Sequence, residues 1–185
     1  QIVTSIPGAQ FVTSVGNAVN AYYGYQTNGI ISASEAGTVT GPKGNLMEAG
    51  DVKYMDFDGN NIINEEDKTI IGDPNPDLFG SLFTSFAYKN LELYIRFNYS
   101  MGNDLFNFLR YQTESMSNYS NQSVSVLDRW TPSNTGAEIP RSIYGDPNGN
   151  SVFSDRWIED GSFMKLSQVT LSYFLPSIAG VFNGV

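Results

Sequence analysis

The chain has 185 residues, 41% of them hydrophobic, and a formal net charge of −9, so it can bury a core and is not wholly disordered. Its ten Lys and Arg are too few for a phosphate-binding surface, and we expect no nucleic-acid partner. Because the chain has no Cys and no His, it can form no disulfide and no thiolate metal site, and it has no imidazole base. Any chemistry must depend on carboxylates, amides and hydroxyls.

Residues 1–50 carry few charges and are interrupted by glycines at short intervals, around apolar runs such as Ala21-Tyr22-Tyr23-Gly24-Tyr25. This spacing predicts short strands and turns and disfavours a helix. No apolar run in the chain approaches the roughly 20 residues that a membrane helix requires. That length criterion does not apply to membrane proteins that cross the bilayer with alternating strands.

The next block, residues 50–77, is rich in acids and contains a segment that fits a twelve-residue calcium loop, residues 56–67. Calcium takes six to eight oxygen ligands, and side chains at loop positions 1, 3 and 5 can face one centre when the chain curls around it. Position 7 supplies a backbone carbonyl, position 9 acts through water and position 12 closes the coordination sphere. The predicted ligands are Asp56, Asp58, Asn60, Ile62 through its carbonyl, Asn64 and Asp67.

Two positions of this loop depart from the usual pattern. Asn61 stands at position 6, where Gly is expected, and Asn tolerates positive φ better than other non-glycine residues. Asp67 is shorter than the usual Glu, a feature that resembles the calcium loops of dockerin modules. Ile63 supplies the apolar side chain expected to join the loop to the fold. The alternative interpretation is a solvated acidic turn; if calcium binds, we expect a structural role, since the segment offers no open ligand position beside a base or nucleophile.

Two alternating runs, residues 82–88 and 91–99, flank Lys89 and Asn90 and predict an antiparallel hairpin. In a third run, Val169 and Leu171 alternate with Gln168 and Thr170, so the apolar and polar side chains point to opposite faces of a strand. This run ends before Pro176. Between them, residues 102–160 are predicted to form a long loop, in which residues 104–111 are compatible with a short helix. Strands of about ten residues suit a membrane barrel, whereas those of a soluble β-sandwich are commonly shorter, and the long loop favours the barrel.

Several aromatic residues of the long loop are candidates for contact with a sugar or for packing within the loop, namely Trp130, Trp157 and Tyr111. The acids Glu159 and Asp160 cannot act as a glycosidase pair, because neighbouring residues of a strand point to opposite faces. We therefore predict no enzymatic activity. A secreted, calcium-stabilised β-sandwich that serves in binding or adhesion is the alternative to an importer.

The order of motifs along the chain resembles the C-terminal region of the SusC/RagA family of TonB-dependent outer-membrane transporters of Bacteroidetes-type bacteria. The stretch 21–30 resembles the family's segment leading into that region. The motifs are Gly50-Asp51-Val52-Lys53-Tyr54, the calcium-like loop with 67–77, Asp128-Arg129-Trp130-Thr131-Pro132, Ile139-Pro140-Arg141 and 154–166.

This resemblance implies an all-β fold, in which residues 1–185 form the C-terminal part of a 22-stranded transmembrane β-barrel with long extracellular loops. It implies TonB-dependent import of oligosaccharides or peptides across the outer membrane, with a SusD-like lipoprotein as partner and outer-membrane lipid around the strands. We expect the plug, the TonB-contacting part and the final strands to lie outside this chain. Residues 50–77 and 102–160 are then extracellular loops.

Overall fold

The computed structural model describes residues 1–175, and these form eleven β-strands, one α-helix and three short 3-10 helices. No helix in that range is both long enough and apolar enough to cross a membrane. The strands are β1 Ile2–Ile6, β2 Ala9–Thr13, β3 Ala21–Tyr25, β4 Thr27–Ile30, β5 Val52–Tyr54, β6 Lys68–Gly72, β7 Leu78–Tyr88, β8 Leu91–Met101, β9 Asp104–Phe106, β10 Ile158–Asp160 and β11 Phe163–Tyr173; the helices are α1 Phe108–Glu114 and the 3-10 helices Glu65–Asp67, Val124–Asp128 and Asp155–Trp157.

The chain divides into two compact units. The first, here called the loop unit, comprises Gln1–Asn75 and Asp104–Asp160. The second, here called the strand unit, comprises Pro76–Asn103 and, among the described residues, 161–175.

The strand unit is a three-stranded antiparallel sheet in the order β11-β8-β7. Strands β7 and β8 form the predicted hairpin in full register from Tyr88 opposite Leu91 to Leu78 opposite Met101. Lys89 has a φ of 52°, in the left-handed region that a two-residue hairpin turn requires. All three strands are 11 residues long, which is the length that spans a bilayer when a strand is tilted.

The two faces of this sheet differ in polarity. Cross-strand partners share a face, and one face is apolar along all three strands except at Thr84, with Leu171 and Phe86 remaining 69% and 61% exposed. The opposite face forms a polar groove with Glu92, Arg96 and Gln168 among its lining residues. The apolar face comprises Leu82, Phe86, Tyr88, Leu91, Leu93, Ile95, Phe97, Met164, Leu166, Val169, Leu171 and Tyr173.

A β-bulge at Ser167 keeps this apolar face continuous along β11. The register with β8 shifts between Leu166 and Gln168, so Ser167 is an extra residue, and its hydroxyl donates to the Arg96 carbonyl at 3.2 Å. Before the bulge the apolar face takes even-numbered residues such as Leu166, and after it odd-numbered residues such as Val169. Without the extra residue, the second half of β11 would turn its apolar side chains to the polar face.

The loop unit contains a four-stranded antiparallel sheet in the order β1-β2-β3-β6 and the two pairs β4-β5 and β9-β10. The long loop predicted over 102–160 is therefore partly regular. Its helix begins at Phe108 and not at Asp104, because Asp104–Phe106 pairs with β10, and the Asn107 side chain caps the helix by accepting from the Arg110 amide at 2.9 Å. The apolar core of the loop unit consists of Tyr25, Ile31, Met47, Val52, Tyr54 and Ile63.

A buried ion pair lies within the loop unit. Asp51 has no exposed surface and accepts from Arg141 Nε at 2.7 Å and Nη2 at 3.1 Å, while Asn148 and Asn150 also donate to its carboxylate. Burial alone raises the pKa of Asp51, but the hydrogen bonds from Arg141, Asn148 and Asn150 outweigh it, and the pKa lies below its ordinary value.

Because the pKa of Asp51 is lower in the folded than in the unfolded chain, this residue stabilises the fold above the ordinary carboxyl pKa. That contribution is lost as the pH falls through the lowered value. We expect the free energy of unfolding to fall on acidification below about pH 4, and to fall less steeply in Asp51→Asn, which lacks the titrating group. Chemical denaturation of the two proteins at a series of pH values measures the difference; equal slopes would contradict the assignment.

Candidate metal centre

Three carboxylates of the predicted calcium loop lie together between β5 and β6. Asp56, Asp58 and Asp67 each place one oxygen within 4.8 Å of the other two. Within residues 1–175, no Lys or Arg forms an ion pair with any of them. The cluster therefore has the negative charge and the hard oxygen atoms that a divalent cation takes as ligands.

The first half of the loop is a tight turn closed by Asp56. One of its oxygens accepts from the Gly59 amide at 2.8 Å and the other from the Asn61 amide at 2.7 Å. Asn61 has a φ of 60°, so it adopts the left-handed conformation expected where calcium loops usually have glycine. Desolvation raises the pKa of Asp56, but the amides of Asn61 and Gly59 outweigh it and hold the pKa below its ordinary value. The carboxylate is ionised at neutral pH.

The second half of the loop is fixed by Asp67, which has no exposed surface. Its two oxygens accept from the amides of Phe57 and Asn64, both at 2.9 Å, so one side chain joins the start of the loop to its end. Asn64 in turn caps the 3-10 helix Glu65–Asp67 in a capping box. Hydrogen bonds from these backbone amides thus hold the Asp67 carboxylate beside those of Asp56 and Asp58.

The remaining predicted ligands are oriented by bonds within the loop. The Asn60 amide oxygen accepts from the Ile62 amide at 2.6 Å, and the Asn64 amide oxygen accepts from the Glu66 amide at 2.7 Å. The Ile62 carbonyl accepts from the Asn64 side chain at 3.4 Å. Each of these oxygens has a second lone pair, so the donor set fits calcium.

Ile63 packs into the core of the loop unit, as its position in the loop predicts. It is 3% exposed, and its amide donates to the Thr40 carbonyl at 2.8 Å. The acidic loop is thus attached to the apolar core and to a neighbouring segment. Ordering of the loop by a cation would therefore add to the stability of the unit.

Sequence motifs that lie far apart in the chain meet in the loop unit. Arg141 pairs with Asp51, and its amide also donates to the Gly50 carbonyl at 2.8 Å. Trp130 lies against Gly50, and its amide donates to the Ile139 carbonyl at 2.7 Å. These contacts could not be predicted from the sequence, which shows only the order of the motifs along the chain.

Comparisons with known proteins identify the chain. No family model matches it. It is 30% identical over 165 residues to the TonB-dependent receptor SusC of Bacteroides thetaiotaomicron and 30% identical over 167 residues to the TonB-dependent receptor P26 of Formosa agariphila, alignments that cover 89% and 88% of the chain. The chain belongs to the SusC/RagA family of TonB-dependent receptors. It spans 14% and 16% of the length of these two relatives.

Solved structures of the RagAB peptide transporter show the same fold. One aligns with 89% of the chain and 17% of its own length, with a TM-score of 0.66 and 22% identity. A second, of the closed-closed state of the RagAB peptide importer, covers 94% of the chain with a TM-score of 0.64 and 23% identity. The predicted fold class is confirmed, and this SusC/RagA-family chain forms part of the receptor's barrel. The relatives are named as receptors and transporters and not as enzymes.

Three aromatic residues are predicted either to contact a sugar or to pack within the long loop, and they differ in exposure. Trp157 is completely buried and packs edge-on against Tyr111, with ring centroids 5.4 Å apart, so its role in this SusC/RagA-family chain is loop packing. Tyr111 and Trp130 are both half-buried, and Trp130 covers Gly50. The complete burial of Trp157 leaves its ring no free face for a sugar, whereas contact of Trp130 or Tyr111 with cargo stays a prediction.

The contact of Trp130 with Gly50 leads to a prediction for the SusC/RagA-family chain. Gly50 has a φ of 90°, and a Cβ there would meet the indole ring, whereas Gly44, with a φ of 82°, has open space. Gly44→Ala should cost about 1–2 kcal/mol through backbone strain alone. Gly50→Ala should cost about 1.5 kcal/mol more, from overpacking. Denaturant unfolding of the intact receptor carrying each variant measures both values; equal losses would contradict the packing of Trp130.

Proposed function

We propose that this chain forms part of a TonB-dependent receptor that imports oligosaccharides or peptides across the bacterial outer membrane. The observation that carries the proposal is the exposed apolar face of the strand unit, continuous over three strands of 11 residues. Such a face on a sheet needs an apolar medium, and its strand length matches the hydrocarbon thickness of a bilayer. Membership of the family and the named transport by RagAB support the same function.

The proposed topology follows from the hairpin. We assign the short Lys89–Asn90 turn to the periplasmic side, where outer-membrane barrels have their short turns. At the opposite end of the strands, β7 begins, β8 ends and β11 begins. From there the chain continues into segments of the loop unit. These segments would then be extracellular, with cargo and a SusD-like lipoprotein as their partners.

We infer further that residues 56–67 bind one calcium ion in a structural role. Three converging carboxylates without a paired cation repel one another, and a divalent cation would offset that repulsion. Asp56, Asp58 and Asp67 would supply carboxylate oxygens, Asn60 an amide oxygen and Ile62 a carbonyl, with Asn64 acting through water. The ion would rigidify an extracellular loop and take no part in moving cargo.

The import function is tested in cells that express the intact receptor or lack it. Uptake of a fluorescent malto-oligosaccharide and of a fluorescent peptide mixture is compared with and without a protonophore. We expect one of the two cargo classes to depend on both the receptor and the proton gradient. Uptake of both classes that is unchanged by loss of the receptor would contradict the proposal.

A further inference from the structure

An open cavity of about 510 Å³ lies within the loop unit, and Arg156 lines it. Arg156 belongs to the 3-10 helix Asp155–Trp157, which follows the buried Ser154. Other lining residues are Thr27, Glu114, Ser125, Glu138 and Ile139. The cavity is separate from the acidic loop, which contributes no lining residue.

The Arg156 guanidinium packs against an aromatic ring but has no ion-pair partner among residues 1–175. It lies over the Trp157 ring, 4.5 Å from the centroid, and its buried Nη2 has no hydrogen-bond partner. Within residues 1–175, no carboxylate forms an ion pair with it. Partial burial weakens the hydration of this charge, and with no ion pair among residues 1–175 the Trp157 ring offsets only part of that cost.

The carboxylates around the cavity already have other partners. Glu114 accepts from Arg110 at 3.0 Å and from the Ser125 hydroxyl at 2.7 Å. Asp155 accepts from the amide and the hydroxyl of Thr27, at 3.1 and 2.6 Å. These acids are therefore held by their own donors, and neither forms an ion pair with Arg156. Glu138 is exposed, so its charge is screened by solvent.

Burial also changes the acidity of this side chain. Desolvation lowers the pKa of Arg156 to about 10, even though Tyr54 and Glu114 act to raise it. The pKa values of Arg110 and Arg141, which have carboxylate partners, are raised instead. Arg156 thus differs from Arg110 and Arg141 in having no ion-pair partner within residues 1–175.

We propose that this cavity binds a carboxylate group of the ligand, which the Arg156 guanidinium recognises from the cavity lining. A planar guanidinium matches a carboxylate in shape and charge, whereas a neutral hydroxyl would leave the buried charge uncompensated. The carboxylate comes from the C-terminus of a peptide or from a sugar acid. The inference rests on the proposed function only in taking the ligand to be cargo.

The test measures binding to the purified intact receptor by calorimetric titration, with no transport involved. The probes are triglycine against triglycine amide, and glucuronate against glucose, so each pair differs in one carboxylate. We expect at least one acid to bind about tenfold more tightly than its neutral counterpart, as one charge-assisted contact provides. The peptide pair and the sugar pair distinguish the two sources of the carboxylate.

Matched variants assign the preference to Arg156. Arg156→Gln should abolish it, while Arg129→Gln, which removes a charge from the same unit but outside the cavity, should retain it. Should the Gln variant not fold, Arg156→Lys keeps the charge, loses the planar fork and should show a reduced preference. Equal binding of both members of each pair, or a preference that survives every change at Arg156, would overturn the proposal. Because import is assayed separately, either proposal can fail without the other.

Discussion

Replacing Asp67 with Asn should lower the calcium affinity of the intact receptor by at least about 100-fold, the effect of removing a carboxylate ligand from a hard-cation site. Asp67 has no exposed surface, and both of its oxygens are held by backbone amides at the two ends of the loop. Calorimetric titration of calcium into chelator-treated protein measures the loss.

A neighbouring acid provides the control for this substitution. Glu66 lies in the same loop, is exposed and is absent from the carboxylate cluster, so Glu66→Gln removes the same charge without removing a ligand. It should bind calcium within a few-fold of the unchanged receptor. Calcium should raise the melting temperature of the unchanged receptor and of Glu66→Gln but not that of Asp67→Asn. Calcium binding of normal affinity by Asp67→Asn would contradict the assignment of this loop as the binding site.

The second large effect is expected at the apolar face of the strand unit. Val169 lies near the middle of β11, opposite Ile95, and is 56% exposed within this chain. In a bilayer that exposed surface contacts lipid, and Val169→Arg should lower the free energy of unfolding by about 2–4 kcal/mol. Denaturant unfolding of the intact receptor in lipid vesicles measures this value.

The adjacent residue is the matched control. Thr170 lies opposite Tyr94 on the polar face, within the groove that Glu92 and Arg96 also line. Thr170→Arg places the same side chain one residue further along the same strand, where the groove lets it remain hydrated. It should cost less than about 1 kcal/mol. Equal losses at Val169 and Thr170 would mean that the two faces meet the same environment.

Local patterns in the sequence predicted the parts of the fold that depend on local physics. The hairpin of β7 and β8 follows from a period of two and a two-residue turn, and Ile63 packs into the core as its place in the loop predicts. The first half of β11 was missed, because the bulge at Ser167 shifts the phase of the alternation. Alternation of apolar and polar residues predicts a strand only while the alternation is unbroken, so it cannot anticipate the extra residue.

Contacts between residues far apart in the chain could not be predicted from a single sequence. The Asp51–Arg141 pair joins residues 90 positions apart, and nothing local to either residue indicates its partner. The same holds for Trp157, an amphipathic side chain that suits a binding surface and an interior equally well until its neighbours are known. Of the predicted calcium ligands, the carboxylates converge because one local loop contains them all. The occupancy of that loop stays a prediction.

We propose that the apolar face of the strand unit lies against lipid in an outer-membrane receptor. Extraction of cell membranes that contain the intact protein with alkaline carbonate, followed by detergent, tests this placement. Carbonate strips proteins bound only by polar contacts and leaves those embedded in hydrocarbon. We expect the protein to remain in the membrane pellet after carbonate and to be released by detergent. Recovery of a folded monomer in the carbonate supernatant would contradict the claim.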